Sequence, residues 1–145
     1  MRIFIDADGC PVVDETVEIA KEFKLPVTIV KNYAHVINNS YAEVVTVDLS
    51  SDSADYYIVN HMGKGDLVIT QDNGLAAMVL AKEGLVLNQN GYIIDNKNID
   101  AMLSTRHIHR ELRQKGIYAG KAKKRVKSHN KSYEVTLRNL LKGLT

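Results

Sequence analysis

The 145 residues contain a single cysteine, Cys10. It has no partner for an internal disulfide and no companions for a thiolate zinc site. Long apolar runs are missing too, so no stretch is fit to span a membrane. No basic region and hydrophobic segment precede the first strand. Internal repeats are absent. These absences predict a cytoplasmic chain without a membrane partner, of a size to make one domain with a real core. Cys10 stands beside two carboxylates whose charge disfavours its thiolate, so it reads as a packing residue.

Basic residues are scarce in the first part of the chain and acidic ones in the last. Residues 1–105 hold 7 Lys or Arg against 15 Asp or Glu; residues 106–145 hold 12 against 2. An acidic body with a basic end suits a metal centre beside a phosphate-binding surface, and so a polyanionic partner. The basic candidates are Arg106, Arg110, Arg113, Lys121, Lys123, Lys124, Arg125 and Lys127. His107, His109, Tyr118 and Tyr133 lie among or near them as candidates to stack bases.

What is present begins with Ile3-Phe4-Ile5-Asp6-Ala7-Asp8-Gly9-Cys10-Pro11. A short apolar run closed by a turn signal reads as a buried parallel strand. Val27–Val30, Val44–Val47, Leu67–Thr70 and Leu85–Leu87 read likewise, and Tyr92–Ile94 reads as a hairpin arm after Asn90-Gly91. Between them the spacing predicts helices over Val12–Phe23, with Pro11 in the first turn, over Ala54–Met62, and from Asn73-Gly74 to Lys82. Asn98 is placed to cap a long helix ending near Gly116. Gly120–Lys131 reads as a lysine-rich loop, and Ser132 as the cap of a last helix bearing Leu137 and Leu141. This alternation gives an α/β, doubly wound sheet with helices on both faces.

Ligands of such sheets sit outside the carboxyl ends of the strands. Asp6 and Asp8 end the first strand, Asp72 ends the fourth, and Asp52 and Asp55 lie in the first turn of the helix after the third. Convergent carboxylates suit Mg2+ or Mn2+, which take oxygen ligands and keep several waters. Thr70, two residues before Asp72, is placed to orient a carboxylate or a water. Asp52 reads equally well as a helix cap.

Three stretches in order, Asp6-Ala7-Asp8-Gly9-Cys10-Pro11, Ala54-Asp55-Tyr56-Tyr57-Ile58-Val59 and Gly65-Asp66-Leu67-Val68-Ile69-Thr70-Gln71-Asp72, resemble the YaiI/YqxD family of bacterial proteins, grouped with the PIN-like nuclease fold. The resemblance implies a PIN-like three-layer sandwich with a mainly parallel central sheet: a single domain, core 1–116, with a basic C-terminal helical extension at 117–145. It implies metal-binding acids at Asp6, Asp55 and Asp72, with Asp8 and Asp52 as additional candidates. Two departures stand out. PIN nucleases carry a further acid beyond their Thr-x-Asp, where this chain has Asn88 and Asn90. Gly120-Lys121 and Lys131 stand where the family often has Gly-Gly-Pro and an Asp.

The expected activity is Mg2+- or Mn2+-dependent hydrolysis of phosphodiester bonds in RNA, with Asp6, Asp8, Asp55 and Asp72 catalytic. A non-catalytic nucleic-acid-binding protein is the second reading, and a homo-oligomer is compatible with either. A haloacid-dehalogenase-type phosphatase is the third, on the strength of Asp6-Ala7-Asp8-Gly9. It requires a later acid pair, and Asp66 and Asp72 are separated by a strand, up to about 20 Å of extended chain.

Overall fold

The alternation along Ile3-Phe4-Ile5 decides the architecture. Ile3 and Ile5 point to one face and Phe4 to the other, and none is more than 2% exposed, so the strand is covered on both sides. A computed structural model, describing residues 1–34, 36–50, 52–104 and 127–144, shows how. Strand β1 (Ile3–Asp6) lies within a six-stranded sheet. On one side of it stand β2 (Val27–Asn32) and then β3 (Glu43–Val47). On the other stand β4 (Leu67–Ile69), β5 (Leu85–Leu87) and β6 (Ile93–Ile94). All neighbours are parallel except β5 and β6, which form the expected antiparallel arm with Leu87 opposite Ile93.

Among the described residues the sheet is covered by α1 (Val13–Glu22), α2 (Ser53–His61), α3 (Asn73–Ala81) and α4 (Lys127–Leu144). Residues 99–104 are helical as well. Ile3, Ile5, Ile29, Leu67 and Ile69 pack against Val17 and Ile19 of α1 and Tyr133, Leu137 and Leu141 of α4. Phe4, Val30, Val68 and Val86 pack against Ala54 and Ile58 of α2 and Leu75, Ala76 and Val79 of α3. The result is the expected three-layer α/β arrangement, with a mainly parallel central sheet and a C-terminal helix. Among the described residues no helix is long and apolar enough to cross a membrane.

Several boundaries differ from expectation, among them β2, which runs on past Val30 to Asn32. Pro11 lies in the turn before α1, which starts at Val13. The last helix starts at Lys127, so Ser132 is inside it, its carbonyl accepting from Thr136 Oγ1 at 3.1 Å. The reason lies in how α4 is anchored. Tyr133 is wholly buried, its hydroxyl 2.6 Å from Thr16 Oγ1. Gly91, at φ +87°, lets the β5–β6 turn press against the helix backbone, where a Cβ would stand 3.4 Å from the Ser132 carbonyl oxygen. Once a helix is nucleated by such packing, each added residue gains a hydrogen bond, so a polar lead-in propagates without an apolar stripe.

Burial also removes Tyr133 from the candidates for base stacking. Thr16 Oγ1 donates its one proton to the Val12 carbonyl at 2.6 Å, so the Tyr133 hydroxyl is the donor in their contact and its removal leaves the Thr16–Val12 bond in place. Tyr133→Phe should therefore cost only about 1 kcal/mol in urea denaturation, with an unchanged m-value. A neutral result would mean that the hydroxyl pair does not hold α4 to α1.

Candidate functional site

The site follows from strand parity and topology. The chain leaves β1 toward β2 on one side and later returns to β4 on the other, which opens a crevice at the carboxyl ends of β1 and β4. Asp6 lies two residues after Phe4 and so shares the face covered by α2 and α3. The register pairs Phe4 with Val68 and Ile5 with Ile69, which sets Asp6 beside Thr70. Thr70 Oγ1 donates to Asp6 Oδ2 at 2.8 Å and accepts from the Asp72 N–H at 2.9 Å. Asp72 is the N-cap of α3, its Oδ1 accepting from the N–H groups of Gly74 at 2.8 Å and Leu75 at 3.3 Å.

Asp8 sits in the turn that ends β1. The Cys10 N–H closes that turn on the Ala7 carbonyl at 3.0 Å, with Gly9 at φ +73° in the left-handed region that favours glycine. Asp8 Oδ1 accepts from the Asn32 N–H at 3.3 Å, tying the turn to the end of β2. Asp55 arrives from the first turn of α2.

Asp6, Asp8, Asp55 and Asp72 line one cleft of about 280 Å³, joined there by Asp48, Asn32 and Gln71. None of the described residues lining it is basic. The electrostatic consequence falls on Asp6. Its pKa is pushed up from 3.8 to about 6, first by burial and then by the charges of Asp72 and Asp8; the Thr70 hydrogen bond opposes the shift.

Asp52, the fifth acid predicted for the site, is not among the lining residues. It is exposed at the N-cap of α2, where its side chain makes no capping hydrogen bond. Asp48 was missed by sequence reasoning, although it follows β3 as directly as Asp6 ends β1. Asn88, one of the two amides expected in place of a further acid, opens a turn: its Oδ1 accepts from the Asn90 N–H at 2.9 Å. Arg106, Arg110, Arg113, Lys121, Lys123, Lys124 and Arg125 lie outside the described residues, as do His107, His109 and Tyr118; Lys127 opens α4.

The model of the uncharacterized BCR, YaiI/YqxD family matches residues 4–143. The chain belongs to the YaiI/YqxD family. A UPF0178 protein of Alkaliphilus oremlandii is 46% identical over 92% of this chain and 86% of its own length. One of Natranaerobius thermophilus is 41% identical over 97% of this chain and 96% of its own. A crystal structure of a mutant form of Rae1 (YacP) from Bacillus subtilis covers the whole of both chains at 14% identity, with a TM-score of 0.49.

In this YaiI/YqxD chain the donors lining the cleft are carboxylate, carboxamide and hydroxyl groups, a hard donor set. Among the described residues no three His, Cys, Asp or Glu side chains are gathered tightly enough to enclose a metal ion. The buried Oδ1 of Asn73, next to Asp72, has no hydrogen-bond partner among them. Acids spread round a cleft fit a cation that keeps its waters better than a closed cage.

The phosphatase reading loses its second acid. Asp66 stands at the amino end of β4, where its carboxylate accepts from the N–H groups of Arg2 and Gly63, both at 2.9 Å, and pairs with the Arg2 guanidinium at 3.1 Å.

Proposed function

We propose that the cleft binds Mg2+ or Mn2+ and hydrolyses phosphodiester bonds, with RNA as the substrate. The observation that supports this most is the convergence of Asp6, Asp8, Asp55 and Asp72 on one cleft, with two neighbouring charges raising Asp6. Without a cation that arrangement costs free energy, and a divalent ion relieves it. Asp6, Asp55 and Asp72 hold the ion, and Asp8 holds it or orients a water. Bound there, such an ion activates water and stabilises the leaving oxygen of a phosphodiester. Thr70 holds one oxygen of Asp6, and through the Asp72 N–H it fixes the spacing of the two acids. The basic residues of 106–127 hold the phosphates. The choice of RNA follows the family resemblance.

Isothermal titration of Mn2+ into the parent chain and an Asp6→Asn/Asp72→Asn variant tests the reading. Asn caps helices about as well as Asp, so α3 keeps its start. Saturable binding should occur in the parent and vanish in the variant, together with Mn2+-dependent cleavage of a single-stranded oligoribonucleotide. No binding at millimolar Mn2+ would overturn the nuclease reading and leave a non-catalytic nucleic-acid-binding protein.

A further inference from the structure

The tyrosines among the described residues fall into two groups. Tyr133 is buried on Thr16, Tyr57 stacks on His61 with ring centroids 3.9 Å apart, and Tyr41 lies against Lys21. These three are committed to the fold. Tyr33, Tyr56 and Tyr92 are not: their side chains make no hydrogen bond or ring contact among the described residues, and each is strongly exposed.

Their placement is the second observation. The five most exposed large apolar side chains among the described residues are Val36 at 86%, Tyr33 and Tyr92 at 66%, Leu49 at 65% and Tyr56 at 61%. Single exposed apolar residues need no explanation, but Tyr33, Leu49, Tyr56 and Tyr92 all lie along the carboxyl edge of the sheet. Tyr33 follows Asn32, the last residue of β2, which lines the acid cleft. Leu49 lies just beyond β3 and lines the cleft itself. Tyr56 is next to Asp55 in the first turn of α2. Tyr92 enters β6, its carbonyl accepting from the Asn88 N–H at 2.8 Å just beyond the carboxyl end of β5. From β3 to β6 the edge crosses five strand intervals, roughly 24 Å at ~4.8 Å each. That is room for several nucleotides at ~3.4 Å per stacked base.

We propose that Tyr33, Tyr56 and Tyr92 form a stacking surface for unpaired nucleobases on either side of the acid cleft. The inference rests on the nuclease reading for the identity of the ligand. Exposed aromatic rings beside a phosphodiester site take up bases by their π-faces, which a duplex keeps hidden within its own stack. The cleft itself repels phosphates, so the platform works with a divalent ion in the cleft.

Fluorescence anisotropy with a labelled single-stranded 12-nucleotide RNA in Mn2+ tests this on the full chain. Tyr33→Ala, Tyr56→Ala and Tyr92→Ala should each weaken binding roughly 5- to 100-fold, and Phe at the same positions should restore it. The matching duplex should bind more weakly and respond little to the substitutions. Titrating Mn2+ into the same variants reports on the acid cleft separately. Unchanged RNA affinity in variants that still take up Mn2+ would overturn the stacking surface and leave the nuclease reading standing. Tyrosine-dependent binding by a chain that takes up no Mn2+ would uphold the surface while the nuclease reading fails. A change from dimer to monomer by light scattering, with RNA affinity untouched, would make the edge a contact between copies and overturn the proposal.

Discussion

At pH 7, the Asp6→Asn variant should unfold at a higher temperature than the parent chain, by roughly 10 °C. Asp6 titrates near 6 in the folded protein against an ordinary 3.8, because burial and the charges of Asp72 and Asp8 oppose its ionisation. Between those values the folded state holds a proton that the unfolded state has released. Stability is therefore fully present below about pH 4 and falls as pH rises through about 6, after which it is level. The shift corresponds to about 3 kcal/mol withheld at neutral pH. Asn keeps an oxygen for Thr70 and removes the charge, so it recovers most of that amount. The advantage should shrink toward zero at pH 4, where the parent carboxyl is protonated as well. Thermal melts of both chains at pH 4 and pH 7 check this. Equal melting temperatures at pH 7, or a gap that persists at pH 4, would mean that Asp6 is not the strained acid of the cleft.

The same reasoning ties stability to the proposed cation. An ion that binds only the folded cleft stabilises it by mass action, and Mn2+ should raise the melting temperature of the parent but not of Asp6→Asn. A stabilising substitution that removes function is the expected mark of an acid kept for chemistry, since strain persists where the surrounding structure holds it for a purpose.

How far all this could be read from the sequence differs from element to element. The strands were legible because β-branched runs end at Gly, Pro or paired acids: Ile3–Asp6 and Leu67–Ile69 are found almost to the residue. The pairing of Asp6 with Thr70 was not, because it depends on β4 lying beside β1, an order no local pattern specifies. Asp52 and Asp55 look alike in sequence, one helical turn apart. Only Asp55 reaches the cleft, since Asp52 stays at the N-cap where the chain has not yet entered the helix. Asp48 escaped notice because the polar stretch after β3 offered stronger helix-start signals than strand-end signals. The early start of α4 depends on a tertiary anchor, Tyr133 on Thr16, rather than on any stripe in residues 127–131.

Asp66→Ala should have the opposite effect, a loss of about 3 kcal/mol and a melting temperature lower by roughly 10 °C. Asp66 and Asp6 stand at opposite ends of the β1–β4 pair, 64 residues from Arg2 and Thr70 respectively. Both are taken from water, and what differs is compensation. Burial pushes the Asp66 carboxyl up, but the N–H groups of Gly63 and Arg2 and the charge of the Arg2 guanidinium outweigh it, so its pKa lies below the ordinary 3.8. Its stabilisation is present above that ordinary value and is lost as pH falls through the lowered one. Removing the carboxylate strands the N–H groups of Arg2 and Gly63, which it holds at 2.9 Å each, and frees the Arg2 side chain that also bonds the His61 carbonyl at 2.7 Å. Urea denaturation at pH 7 measures the cost, and Asp66→Asn separates charge from hydrogen bonding by retaining one acceptor. A loss below 1 kcal/mol for Asp66→Ala would show that the amino end of the pair is not what secures β4. The carboxyl end would then have to be held by the acid cleft, against the strain assigned to Asp6.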